Sequence, residues 1–112
     1  MTRRLLVMVL LAVLTACQDA SQPFSNGRFD RVWLDFPQGD VRQVVLWLMP
    51  GYSRTGTDRG MARTLADEGA LVISVSTPAL LAHMAEEDGD CILPAGDLEN
   101  LAHEVQARVG LE

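Results

Sequence analysis

QVVLWLMPGYSRTGTDRG, residues 43–60, is the stretch whose reading decides the fold. Val44 to Met49 are six apolar residues in a row, with no polar residue between them. A run of that length without alternation predicts a strand buried on both faces. Pro50-Gly51 breaks it, a short polar loop follows, and a helix is predicted from Thr57. Strand, tight turn and helix N-terminus make the corner where open α/β sheets place their ligands. The first amides of a helix have no partner inside it and carry partial positive charge. The backbone around Gly51, Tyr52 and Ser53 is therefore a candidate oxyanion loop.

Outward from that corner, the helix predicted over residues 57–68 carries Met61, Ala62, Leu65 and Ala66 on one face. Thr57 is the expected N-cap and Gly69 the expected stop. Leu71 to Ser76 is a second apolar, β-branched strand. Strand, helix and strand within some thirty residues form a βαβ unit. Upstream, Arg31 to Phe36 alternates, with Val32, Leu34 and Phe36 on one side and Arg31, Trp33 and Asp35 on the other. That predicts a half-buried strand near an edge. Pro37-Gln38-Gly39-Asp40 is turn chemistry, so this strand is expected to pair with residues 41–49 as an antiparallel hairpin. Downstream, Pro78 opens a short helix reaching Ala85. Asp97 is expected to cap a last helix bearing Leu98, Leu101, Ala102, Val105 and Val109, which Gly110 ends. The expected class is α/β: a β-hairpin, then a βαβ unit and C-terminal helices.

The chain has 112 residues, the size of one small domain, and a formal net charge of −6. All nine of its basic residues are arginine. Residues 1–16 hold Arg3, Arg4 and no acid, so without them the balance falls to −8. Such a surface repels nucleic acid. No cofactor motif and no metal-ligand spacing is present.

Residues 1–17 read MTRRLLVMVLLAVLTAC. Arg3-Arg4 form a positive n-region, and Leu5 to Leu14 an apolar run too short to span a bilayer comfortably. This is the pattern of a signal peptide. Its end, Leu14-Thr15-Ala16-Cys17, resembles the lipobox of bacterial lipoproteins, which implies cleavage after residue 16 and acylation of Cys17. Several acyl chains would hold the protein at the periplasmic face of a membrane. Gln18 rather than Asp follows the Cys, which by resemblance to enterobacterial sorting favours the outer membrane. Residues 17–28 read as a flexible tether and residues 29–112 as the folded unit. With Cys17 lipidated, Cys91 is left as a free thiol, half of a disulfide to another chain, or a buried inert thiol.

From Trp33 onward the chain resembles the VirJ/AcvB family of bacterial virulence proteins, which have an α/β-hydrolase fold. The resemblance is carried by VVLWLMPGYS, by MARTLADEGALVISVSTPALL and by CILPAGDLENLAHEVQ. It implies the N-terminal half of a three-layer α/β-hydrolase-like sandwich. For the whole family domain it implies a periplasmic serine esterase, with aminoacylated phospholipid as a substrate class. The hydrolase nucleophile sits in a G-x-S-x-G elbow on a strand after the last helix seen here, and no G-x-S-x-G occurs in this sequence. Two functions are therefore expected as alternatives. One is half of a split or truncated esterase, completed by a second chain that extends the sheet. The other is a non-catalytic, membrane-anchored module associated with type IV secretion or envelope homeostasis.

The remaining reactive side chains have simpler readings. Ser53 is a loop hydroxyl with no base in obvious reach. His83 is expected to pair with Glu86 or Glu87, and His103 to face solvent. Glu86 to Asp90 lacks calcium-loop spacing and reads as a solvated loop. Asp97 and Glu99 suit the first turn of a helix, and Arg59 and Arg63 a solvated helix face.

Overall fold

A computed structural model describes residues 24–86 and 94–111. The described elements are four strands, β1 (Phe24–Asn26), β2 (Phe29–Asp35), β3 (Gln43–Met49) and β4 (Ala70–Ser76), and three helices, α1 (Gly56–Asp67) between β3 and β4, and α2 (Thr77–Ala85) and α3 (Pro94–Arg108) after β4. The mixed α/β class expected from the sequence is present. The calls on Cys17, Cys91 and residues 87–90 lie outside the described residues.

The sheet order is β1-β2-β4-β3. The strands on either side of α1 pair in parallel, from Gln43 against Ala70 to Met49 against Ser76. The βαβ unit therefore stands as predicted. The hairpin expected between residues 31–36 and 41–49 does not form. β4 lies between those strands and pairs antiparallel with β2, with Trp33 opposite Ser74 and Asp35 opposite Val72. The reason is burial. β4 is the most buried strand: all seven of its residues are buried, and Leu71, Val72, Ile73 and Val75 have zero exposure, as the position with neighbours on both sides requires. Residues 36–42 then need to step across one strand, about 10 Å, which seven residues reach easily. The step is fixed at its far end, where Arg42 N–H donates to Gly69 O at 2.8 Å.

A second correction concerns the tether. Phe24–Asn26 is strand β1, paired antiparallel with β2 through Phe24 opposite Val32 and Asn26 opposite Phe29. The turn is Gly27-Arg28, and Gly27 has φ +52. Asn26-Gly27 is a short-range hairpin signal, and a Gly relieves the strain of that backbone. Because β1 covers its outer edge, β2 is less exposed than predicted, with Val32 at 0% and Trp33 at 9%.

Alternation along β4 divides the core into two layers. Leu71, Ile73 and Val75 pack with Val32, with Leu80 of α2 and with Leu101 and Val105 of α3. Ala70 and Val72 face the other way and pack on Ala62 of α1. α1 thus covers one face, and α2 and α3 the other. Small residues on α1 let it approach the sheet closely. The predicted spacing on α3 is observed, but the helix starts earlier than expected, so Asp97 lies in its first turn rather than at its cap.

Candidate functional site

The loop leaving β3 is held at both ends. Met49 is fully buried where the strand stops. At the other end Thr55, not Thr57, caps α1. Asp58 Oδ2 accepts from Thr55 N–H at 2.9 Å and from Thr55 Oγ1 at 2.7 Å, while Asp58 N–H donates to Thr55 Oγ1 at 3.2 Å. This is a capping box with Asp in the position usually held by Glu or Gln. The other carboxylate oxygen, Oδ1, accepts from Trp47 Nε1 at 3.1 Å, so β3 is tied to the helix start. The Asp58 carboxylate is held below its ordinary pKa, first by the Thr55 N–H. Its burial opposes the shift, and the Thr55 hydroxyl, Trp47 and Arg54 add to it. Arg54 reaches back from the loop to the Asp35 carboxylate on β2.

Beside this loop lies a cavity of about 310 Å³. It is lined by Arg28 of the β1–β2 turn, by Asp30 and Arg31 at the start of β2, by Tyr52 and Ser53 of the loop, and by Ser76 at the start of α2. The topology brings these residues together. β2 runs antiparallel to β4, so its beginning meets the C-terminal ends of β3 and β4. That is the end of an α/β sheet where ligands bind. A similar hollow of about 320 Å³ lies at the opposite end, between residues 37–42 and the end of α1. There the Arg42 side chain packs on Gly69, and the arrangement belongs to the strand crossing.

Most charges around the first cavity are already engaged. Arg28 pairs with Asp97 of α3. Asp30 pairs with His83 of α2, whose Nε2 lies 2.9 and 2.8 Å from the two carboxylate oxygens. The other imidazole nitrogen, Nδ1, faces Glu86 at 3.7 Å. The Asp30 hydrogen bond raises the His83 pKa. Arg31 makes no ion pair among the described residues. Ser76 is 6% exposed and its Oγ accepts from Ala79 N–H at 3.2 Å, which caps α2. The Ser76 hydroxyl proton has no acceptor among the described residues.

Comparison with family models, with characterised proteins and with solved structures finds no match.

The candidate oxyanion loop therefore contributes Tyr52 and Ser53 to the wall of a cavity, both exposed. A Cβ at Gly51 would meet only Ser53 O, at 3.8 Å, so the loop does not demand glycine there. No base is hydrogen-bonded to Ser53 Oγ among the described residues. His83 finds Glu86 as expected, but only as its weaker partner. Its main partner, Asp30, is 53 residues away in sequence and carries no local signal. His103 is exposed, with Glu99 at 3.6 Å. Asp97 does not cap its helix; it holds Arg28 and so ties α3 to the β1–β2 turn. Arg59 reaches Arg54 O at 3.5 Å and is exposed, as is Arg63. Among the described residues no group of three or more His, Cys, Asp and Glu side chains is placed to hold a metal ion, and no helix is long and apolar enough to cross a membrane.

Proposed function

We propose that this chain is a lipid-anchored envelope protein corresponding to the N-terminal half of a VirJ/AcvB-like domain, and that it binds rather than hydrolyses its ligand. The resemblance from Trp33 onward and the Cys17 lipobox support the family and the anchor. One observation carries the non-catalytic reading. Ser53, an exposed hydroxyl at the cavity, has no base hydrogen-bonded to it among the described residues. The one histidine beside the cavity has both ring nitrogens turned to carboxylates, Asp30 and Glu86. Nucleophilic catalysis by a serine needs its hydroxyl hydrogen-bonded to a base that a third group orients. The His83–Asp30 pair has the orienting half of that arrangement and no nucleophile.

The experiment is ester hydrolysis by the purified chain on short-chain p-nitrophenyl esters and on aminoacylated phospholipid vesicles. The expected result is no turnover above buffer. Turnover that Ser53→Ala abolishes would overturn the reading.

The second reading, half of a split esterase, is favoured by the outer edge of β3. Among the described residues that strand pairs only with β4. Its apolar run carries no Pro and no charge of the kind that guards an exposed edge. A strand from a second chain, bearing the nucleophile, would add there. Turnover that appears only when a co-purifying polypeptide is present would favour this reading over the first.

A further inference from the structure

We infer that the cavity between the β1–β2 turn, the loop after β3 and the start of α2 binds a small molecule through an oxyanion group, a phosphate monoester or a carboxylate. The inference rests on the cavity wall and depends neither on the lipid anchor nor on the hydrolase resemblance.

The one charged group left over in that wall is a donor, and the hydroxyls beside it can donate as well. Asp30 is the one carboxylate lining it, and His83 occupies both of its oxygens. Arg28 is matched by Asp97. What remains is the Arg31 guanidinium, the hydroxyls of Tyr52 and Ser53, and the hydroxyl proton of the buried Ser76. A guanidinium presents five N–H donors in a planar fork that matches carboxylate and phosphate oxygens. The first turn of α2 adds partial positive charge at the same wall. Two of the wall's three charges, Arg28 and Asp30, thus have opposite partners, and Arg31 has none among the described residues. A neutral or cationic ligand would bring no counter-charge to that guanidinium, whereas an oxyanion brings one together with acceptors for the hydroxyls. The volume of about 310 Å³ suits a small ligand.

The test is titration of the full chain in mild detergent with phenyl phosphate, benzoate and phenol, followed by amide chemical shifts. Saturable shifts at Ser53, Ser76 and Ala79 with one or both acids, and none with phenol, are expected. Arg31→Gln is expected to weaken binding at least tenfold and Ser53→Ala about two- to fivefold. Arg63→Gln, on the far side of α1, is expected to leave binding unchanged. The tighter of the two acids identifies the ligand class. Absence of saturable shifts with both acids, equal binding of phenol, or equal losses in the Arg31 and Arg63 variants would overturn the inference. An unchanged spectrum away from position 31 establishes that the Arg31 variant is folded. None of these readouts depends on ester turnover, so the two proposals fail separately.

Discussion

Asp58→Ala is expected to destabilise the fold by about 3 kcal/mol, because one side chain joins β3, the loop after it and the start of α1. The carboxylate is 2% exposed and accepts three hydrogen bonds. Losing the Thr55 side of the capping box costs about 1 kcal/mol, since water can reach the exposed Thr55. Losing the Trp47 bond costs about 2 kcal/mol, because the half-buried indole N–H then has no acceptor. Asp58→Asn keeps an acceptor for one partner and is expected to cost about half as much. The assay is urea unfolding followed by far-UV circular dichroism, which does not depend on the Trp47 fluorophore. A double-mutant cycle with Trp47→Phe is expected to return a coupling of about 1–2 kcal/mol. Acid gives an independent check. The unfolded carboxylate titrates near 3.8, and the folded one lower. Its contribution is present above 3.8 and is lost as the pH falls through the lower, folded value. The Asn variant is expected to lack this component of the acid slope. A loss below about 1 kcal/mol in Asp58→Ala, with zero coupling to Trp47, would refute the account of the network.

Three further predictions follow from other parts of the fold. The His83 pKa is raised above 6.5 by Asp30, so the tie between α2 and the start of β2 is fully present below 6.5 and is lost as the pH rises through the folded value. Proton exchange in α2 is expected to quicken over that range in the wild type but not in His83→Asn, once the intrinsic pH dependence is subtracted. Gly69→Ala is expected to cost about 1–2 kcal/mol in thermal or urea unfolding, because φ is +94 there. Its Cβ would also come within 2.9 Å of Arg42 Cδ, a contact that the flexible arginine can relieve, so adding Arg42→Ala is expected to recover only a small part. Ser74 Oγ is buried with no hydrogen-bond partner, so Ser74→Ala is expected to be neutral or to stabilise by up to about 1 kcal/mol, read from the same unfolding curves.

The elements that were legible in the sequence are those with an unbroken apolar run or with local chemistry at their ends. β3, however, expected to be buried on both faces, is half-buried from Val44 to Trp47 and exposed at Leu48, at the edge of the described sheet. The apolar runs at 43–49 and 70–76 and the helical spacings between and after them led to β3, α1, β4 and α3. Gly69 and Gly110 stop their helices at positive φ, as expected. Strand pairing was not legible, because a turn-like sequence at 37–40 does not say whether the chain turns back at once or steps across a strand. That choice depended on β4, whose demand for two neighbours is a property of the whole sheet. The cap of α1 was misplaced by two residues because Thr55 and Thr57 are equally good by type. What separates them is Asp58 three residues after Thr55, the capping-box spacing. At the cavity, Tyr52 and Ser53 were legible from their place after a buried strand. Arg31 and Ser76 were not, since they become neighbours of the loop only through the antiparallel β2–β4 pairing. The acidic partners Asp30 and Asp97 engage residues far away in sequence, and no local pattern announces such pairs.

The strand order also governs when the fold can exist. β4 is the last of the described strands to be made and stands in the middle of the sheet. Until residues 70–76 have emerged from the ribosome, β3 has no strand of this sheet to zip against and β2 has only β1, a hairpin that alone is at best marginal. The nascent chain therefore lacks this sheet until β4 has been made. Closure of the sheet thus waits for one seven-residue segment, and everything made before it stays threadable until that segment arrives.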